Sequence, residues 1–143
     1  ERLGEITQEA HFLDCPVLGM IYPRGENLEI MEGDDTQGAA HAARLAFELG
    51  CDVVKTKWTG SVESFQKVTS AVPIPVLIAG GPAGSTTEEI LTIVHQAMQA
   101  GGGGVCMGRS VFSHESPAKM VTALRAIIHD GADVNQAIES AGL

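Results

Sequence analysis

Asp52-Val53-Val54-Lys55-Thr56-Lys57-Trp58-Thr59-Gly60 sets a lysine near the end of a short apolar run. A run of this length, closed by a turn residue, is expected to form a buried strand. A lysine on such a strand is costly unless its charge is used or suppressed. Desolvation favours the neutral amine, and a neutral amine can attack a carbonyl to form a Schiff base. The alternative is a lysine at a strand's end that snorkels to solvent. This segment alone does not decide between them.

Three other runs have the same character: residues 16–22, 75–79 and 104–107. All four are uniformly apolar rather than alternating, as expected of parallel strands buried on both faces. A helical pattern follows each. Residues 36–49 put Ala39, Ala42, Ala43, Ala46 and Leu49 on one stripe. Residues 61–70 carry Val62, Phe65 and Val68. Ser85 and Glu88 fit a capping box ahead of Ile90, Ile93, Val94, Ala97 and Met98. Ser116-Pro117 opens a helix with Met120, Val121, Leu124, Ile127 and Ile128 on its inner face. Asp133 and Gln136 fit a second box on a terminal helix, and residues 3–13 suggest a helix before the first strand.

The order is therefore α-(βα)4-α, the pattern of repeated βα units. Such units build either an open doubly wound sheet or a parallel (β/α)8 TIM barrel. A barrel needs eight such units and roughly 200–250 residues, so the four units of these 143 residues are half of one. A complete flavodoxin-like domain is the alternative, though a four-stranded open sheet is small. The chain begins at Glu1 inside a helical pattern, so a piece of a longer protein, or a processed one, is expected.

Apolar residues make up 44%, ordinary for a globular domain with a sizeable core. The net charge of −9, without a basic run, argues against nucleic acid or an anionic membrane as the main partner. A phosphorylated small molecule needs only a local positive pocket and stays open. No apolar stretch reaches membrane-spanning length, and no signal peptide opens the chain. Cys15, Cys51 and Cys106 are odd in number and lack metal-site spacing, so reduced, buried thiols in a cytoplasmic protein are expected.

In both architectures, ligands bind at the carboxyl ends of the strands. Four clusters fall there. In Tyr22-Pro23-Arg24-Gly25, Tyr22 shares the parity of Leu18 and Met20, so the three face one way. A phenol there is either a proton donor and acceptor or a core tyrosine. Lys55 and Lys57, two apart, also point one way, with Lys55 deeper and Lys57 at the rim. Trp58 could cap the mouth. Gly80-Gly81-Pro82 lets backbone amides approach a ligand, or is simply a tight turn. Gly108-Arg109-Ser110 supplies amides and an arginine fork that suit a phosphate. Of the five histidines only His114, after the last strand, could line the mouth. Asp34 and Asp35 are expected to start a helix. No metal spacing, nucleophile elbow or Walker loop is present.

Taken in order, Tyr22-Pro23-Arg24-Gly25, Val54-Lys55-Thr56-Lys57-Trp58-Thr59-Gly60, Ala79-Gly80-Gly81-Pro82 and Met107-Gly108-Arg109-Ser110-Val111-Phe112 resemble the archaeal-type class I aldolases. That family includes fructose-bisphosphate aldolase and 2-amino-3,7-dideoxy-D-threo-hept-6-ulosonate synthase. The resemblance runs across nearly the whole chain. It implies that residues 1–143 are the C-terminal half of a single TIM-barrel domain, strands five to eight. It implies Lys55 as the Schiff-base residue and Tyr22 as the general acid/base. Gly80, Gly81, Gly108 and Arg109 would hold substrate phosphate, with Arg24 and Lys57 adding charge. The implied activity is cleavage or formation of a carbon–carbon bond in a phosphorylated sugar, with no cofactor and no metal. Fructose-bisphosphate aldolase, a glycolytic lyase, is slightly favoured over the synthase, a transaldolase. A cytoplasmic homo-oligomer is implied as well. A phosphate-binding half-barrel without turnover is the non-catalytic alternative. Two departures stand out: the family's first-strand aspartate lies outside these residues, and Ala83 stands where many relatives carry lysine.

Overall fold

The computed structural model describes residues 2–24, 35–80 and 84–143. Its elements run α1 (Arg2–Phe12), β1 (Leu18–Met20), α2 (Thr36–Glu48), β2 (Val53–Thr56), α3 (Val62–Thr69) and β3 (Val76–Ala79). They continue with α4 (Thr87–Gln99), β4 (Gly104–Cys106), α5 (Arg109–Phe112), α6 (Pro117–Asp130) and α7 (Val134–Ala141). The strands form one parallel sheet in the order β1-β2-β3-β4. That order separates the two architectures left open by the sequence. A doubly wound sheet reverses its strand order partway and carries helices on both faces. Here each strand lies beside its sequence neighbour, as successive barrel strands do.

Burial follows from that topology. Val54 and Thr56 of β2, and Val76 and Ile78 of β3, are buried against the helical layer. Phe65 and Val68 of α3, Leu91 and Val94 of α4, and Met120 and Ala123 of α6 meet them. The alanine stripe of α2 (Ala39, Ala42, Ala43, Ala46) is buried, and its short side chains admit a close helix. Gly19 completes this fit: a Cβ there would lie 2.7 Å from Cys51 Sγ.

The other face of the sheet corrects the expectation of strands buried on both sides. Leu18 is 40% exposed and Met20 63% exposed, while Val53, Lys55, Leu77 and Ala79 are only partly covered. This is the face that would line a barrel's interior. Val121, expected on the inner face of its helix, is 52% exposed. It borders a groove of about 530 Å³ beside β4, lined also by Leu77, Val105, Val111, Leu124 and Ile128.

The local signals place most element ends. Pro117 sits in the first turn of α6, and Gly131 closes that helix at φ 70°. Asp133 and Gln136 make the expected capping box on α7. The box on α4 is shifted by one: Thr86 and Glu89 form it, not Ser85 and Glu88. Ser61 and Ser64 form a further box on α3. The first strand is shorter than expected, and its pairing continues through Ile21 N–H, which donates to Lys55 O at 3.3 Å. Of the three free thiols Cys51 is buried, Cys106 half-buried and Cys15 exposed, so the expectation of burial fails at Cys15. Cys15 lies in the loop before β1, outside the ladder.

At the amino end of β2, Asp52 joins three elements. Its carboxylate accepts from Val17 N–H at 2.7 Å and pairs with His11 Nε2 at 3.1 Å. The backbone bond from Val17, and then the His11 bond, hold the Asp52 carboxyl below its ordinary range. Burial, reinforced by the Asp52 charge, pushes the Cys51 thiol up. Among the described residues no helix is long and apolar enough to cross a membrane.

Candidate active site

The sheet register fixes the relative heights of the candidate residues. Met20, Lys55, Leu77 and Gly104 stand in one row across the four strands. Lys55 shares its face with Val53, as side-chain alternation requires. Tyr22 lies two residues beyond Met20 and Lys57 two beyond Lys55, both just past the ends of their strands. Tyr22 and Lys55 are partly covered. The structure therefore sets Lys55 on the open face of the sheet, with Tyr22 two residues past its register partner Met20.

Lys57 is not a free cation. Its ammonium forms an ion pair with Asp35, the residue immediately before α2. Asp35 was expected to start that helix, yet its side chain makes no capping hydrogen bond there. The pair ties the end of β2 to the start of α2 across the rim. Trp58 does not stand alone over the mouth either. Its ring packs on the buried Phe65 at 5.3 Å between centroids, tilted by 48°. Thr59 Oγ1 and Ser64 Oγ lie 2.8 Å apart beside the α3 capping box, which anchors the chain directly after the lysine strand.

The two turns expected to hold phosphate do meet. A Cβ on Gly80 would lie 2.8 Å from Ser110 Oγ and 3.8 Å from Met107 Cγ, so the end of β3 packs on the turn that follows β4. Gly108 precedes α5, and Arg109 opens that helix with its side chain exposed. A Cβ on Gly108 would come within 3.1 Å of the Phe112 ring. Gly80 and Gly108–Arg109 thus lie at the carboxyl ends of the neighbouring strands β3 and β4. Arg24 is exposed beyond the end of β1. Gly81, Pro82 and Ala83 lie outside the described residues, as does Gly25 of the first cluster.

His114 was considered as a lining residue of the mouth. Instead its imidazole bridges two helix starts. Nδ1 accepts from Ser116 N–H at 3.0 Å, and Nε2 lies 2.8 Å from Thr87 Oγ1. His11, His41, His95 and His129 fall on helices, as expected. Among the described residues no group of three His, Cys, Asp or Glu side chains is placed to hold a metal. The sequence reading did not foresee that Asp35 partners Lys57, that Ser110 meets Gly80 or that Thr87 partners His114, because no local signal marks these pairs.

Comparison with known proteins bears on the family and the fold. Over 142 residues the chain is 45% identical to 2-amino-3,7-dideoxy-D-threo-hept-6-ulosonate synthase of Halobacterium salinarum, covering 99% of this chain and 52% of that protein. An archaeal fructose 1,6-bisphosphate aldolase superposes with a TM-score of 0.81 at 35% identity, covering 90% of this chain and 51% of the aldolase. An archaeal fructose-1,6-bisphosphate aldolase whose catalytic lysine is covalently bound to the carbinolamine intermediate of its substrate gives 0.79 at 33% identity, covering 88% and 50%. The chain thus spans about half the length of each, consistent with a four-stranded half of a barrel. Residues 1–114 match the DeoC/LacD family aldolases, and the chain belongs to that family.

Proposed function

We propose that these residues carry the Schiff-base centre of a class I aldolase acting on a phosphorylated ketose, as the C-terminal half of its barrel. The register that pairs Met20 with Lys55 on the open sheet face, with Tyr22 two residues further along the chain, supports this assignment. The Lys55 amine attacks the carbonyl carbon, and loss of water from the carbinolamine leaves an iminium. The iminium accepts the electron pair of the carbon–carbon bond that breaks, giving an enamine. Tyr22, two residues past Met20, is the group that moves protons to and from the substrate oxygen and the enamine carbon. The turns at Gly80 and Gly108–Arg109 hold a phosphate, which fixes the reacting carbons relative to Lys55. Lys57 is paired with Asp35, so its charge is largely offset at the rim.

Fructose 1,6-bisphosphate is the proposed substrate, supported by the likeness to the archaeal aldolases. A transaldol synthesis of a heptulosonate is the second reading, favoured by the higher identity to the Halobacterium synthase. Triose release from fructose 1,6-bisphosphate without an added acceptor supports the first. Turnover only in the presence of a second carbonyl compound supports the other.

The common chemistry is tested by trapping. The complete-barrel protein is incubated with fructose 1,6-bisphosphate and borohydride, then digested and mapped by mass spectrometry. The adduct is expected on Lys55. An adduct on Lys57 would move the nucleophile, and no adduct on either lysine would remove the imine mechanism.

A further inference from the structure

Arg109 sits on α5, a helix of four residues with no buried side chain. Of its side chains Val111 packs, partly buried, against the core, while Arg109 is exposed. Two contacts tie this segment to the end of β3 and to the start of α4. At the strand ends, Gly80 and Ser110 are in contact, as the 2.8 Å approach of a Gly80 Cβ to Ser110 Oγ requires. At the helix starts the tie is His114. Its backbone N–H donates to Val111 O at 3.1 Å, closing the turn after α5. Its Nδ1 accepts from Ser116 N–H, so in the neutral ring the proton is on Nε2, which donates to Thr87 Oγ1. Thr87 is the first residue of α4 and Ser116 the residue before α6. One ring thus spans the exits of both turns.

We infer that His114 is a positioning residue for the phosphate site: through Thr87 it ties the segment carrying Arg109 to the start of α4. It does not touch the reacting carbons, and it acts on the substrate's anchoring end. The inference rests on the aldolase assignment above and goes beyond it by naming what ties the Arg109 segment to the start of α4. The neutral, Nε2-protonated ring is the form that makes both bonds. A ring protonated on both nitrogens cannot accept from Ser116.

The test uses the complete-barrel protein and four variants. Thr87→Val removes the hydroxyl with little change of shape. His114→Asn keeps an acceptor near Ser116 N–H but cannot reach Thr87. Thr87→Ser restores a hydroxyl, and the fourth variant combines Thr87→Val with His114→Asn. The readouts are KM and kcat for fructose 1,6-bisphosphate, the inhibition constant of inorganic phosphate, and Tm. Thr87→Val and His114→Asn are each expected to raise KM and the phosphate inhibition constant about fivefold, the worth of one neutral hydrogen bond. Their kcat should stay within about twofold, Thr87→Ser should restore both constants, and the double variant should be no worse than either single one. A fall in Tm with both constants unchanged would make His114 merely structural and overturn the inference. Multiplying effects in the double variant would also overturn it, since the two groups would then not act through one bond. Arg109→Ala, run alongside, separates the two levels. If it raises both constants while the Thr87 and His114 variants do not, the positioning role alone fails. If none of them changes either constant, the phosphate site itself is misplaced.

Discussion

Replacing Gly80 by alanine tests whether the two turns of the candidate site must touch. Gly80 does not have positive φ, so alanine is tolerated by the backbone itself. The cost is steric. The new Cβ would stand 2.8 Å from Ser110 Oγ, whereas ordinary contact begins near 3.4 Å. The two turns must then part by roughly 0.6 Å, or the hydroxyl must turn away. Because a serine hydroxyl can rotate, the stability cost should be about 1 kcal/mol, the low end for overpacking. The functional cost should be larger. A 1 Å misplacement can cost about a hundredfold in rate, so a shift of this size should lower kcat/KM for fructose 1,6-bisphosphate by about tenfold. Ser110→Ala should reverse the effect, because the Gly80 Cβ would then meet the Ser110 Cβ position at 3.7 Å, an ordinary contact. Steady-state kinetics and thermal melts of both single variants and the double variant decide the matter. If the double variant is no better than Gly80→Ala, the Ser110 contact is not what constrains the turn. If Gly80→Ala is fully active, close approach of the turns has no role in the site.

Tyr22→Phe should lower kcat about a hundredfold while the borohydride adduct on Lys55 still forms; a kcat within threefold of wild type would remove Tyr22 from proton transfer. The Asp52 carboxyl titrates lower in the folded state than its ordinary 3.8, so its charge contributes stability above that value. That contribution is lost as pH falls through the folded value. Asp52→Asn should therefore melt lower than wild type near pH 7, with the gap closing as the pH drops below 3.8. A gap constant across that range would assign the effect to hydrogen-bond geometry rather than charge. Finally, β1 and β4 each pair on one side only within the described sheet, and Met20 and Val121 are more than half exposed. The 143-residue chain alone should migrate larger than a monomer and show little aldolase activity, until a complementary (βα)4 half is supplied. Light scattering and a coupled triose assay would show this, and a well-behaved monomer with full turnover would contradict it.

The sequence by itself determined the alternation of strands and helices, because that signal is local. Apolar runs, a proline in the first turn of α6 and the Asp133–Gln136 box each act within a few residues of chain. The common facing of Lys55 with Val53 was legible for the same reason, since a strand repeats every two residues. The α4 cap shows how far local signals reach. Ser85-Thr86-Thr87-Glu88-Glu89 holds two overlapping capping boxes, and only one of them is formed.

Tertiary structure alone decided what depends on residues far apart in the chain. The strand order 1-2-3-4 ruled out a doubly wound sheet, since either order is compatible with the same βα units. The open inner face followed from that order, against the expectation of double burial. The pairing of Lys57 with Asp35, the contact of Gly80 with Ser110 and the bridge from His114 to Thr87 join residues 22 to 30 positions apart. Nothing in the spacing of those residue types marks them as partners. They meet because parallel strands deliver successive βα turns to one end of the sheet, where neighbouring turns must pack against each other.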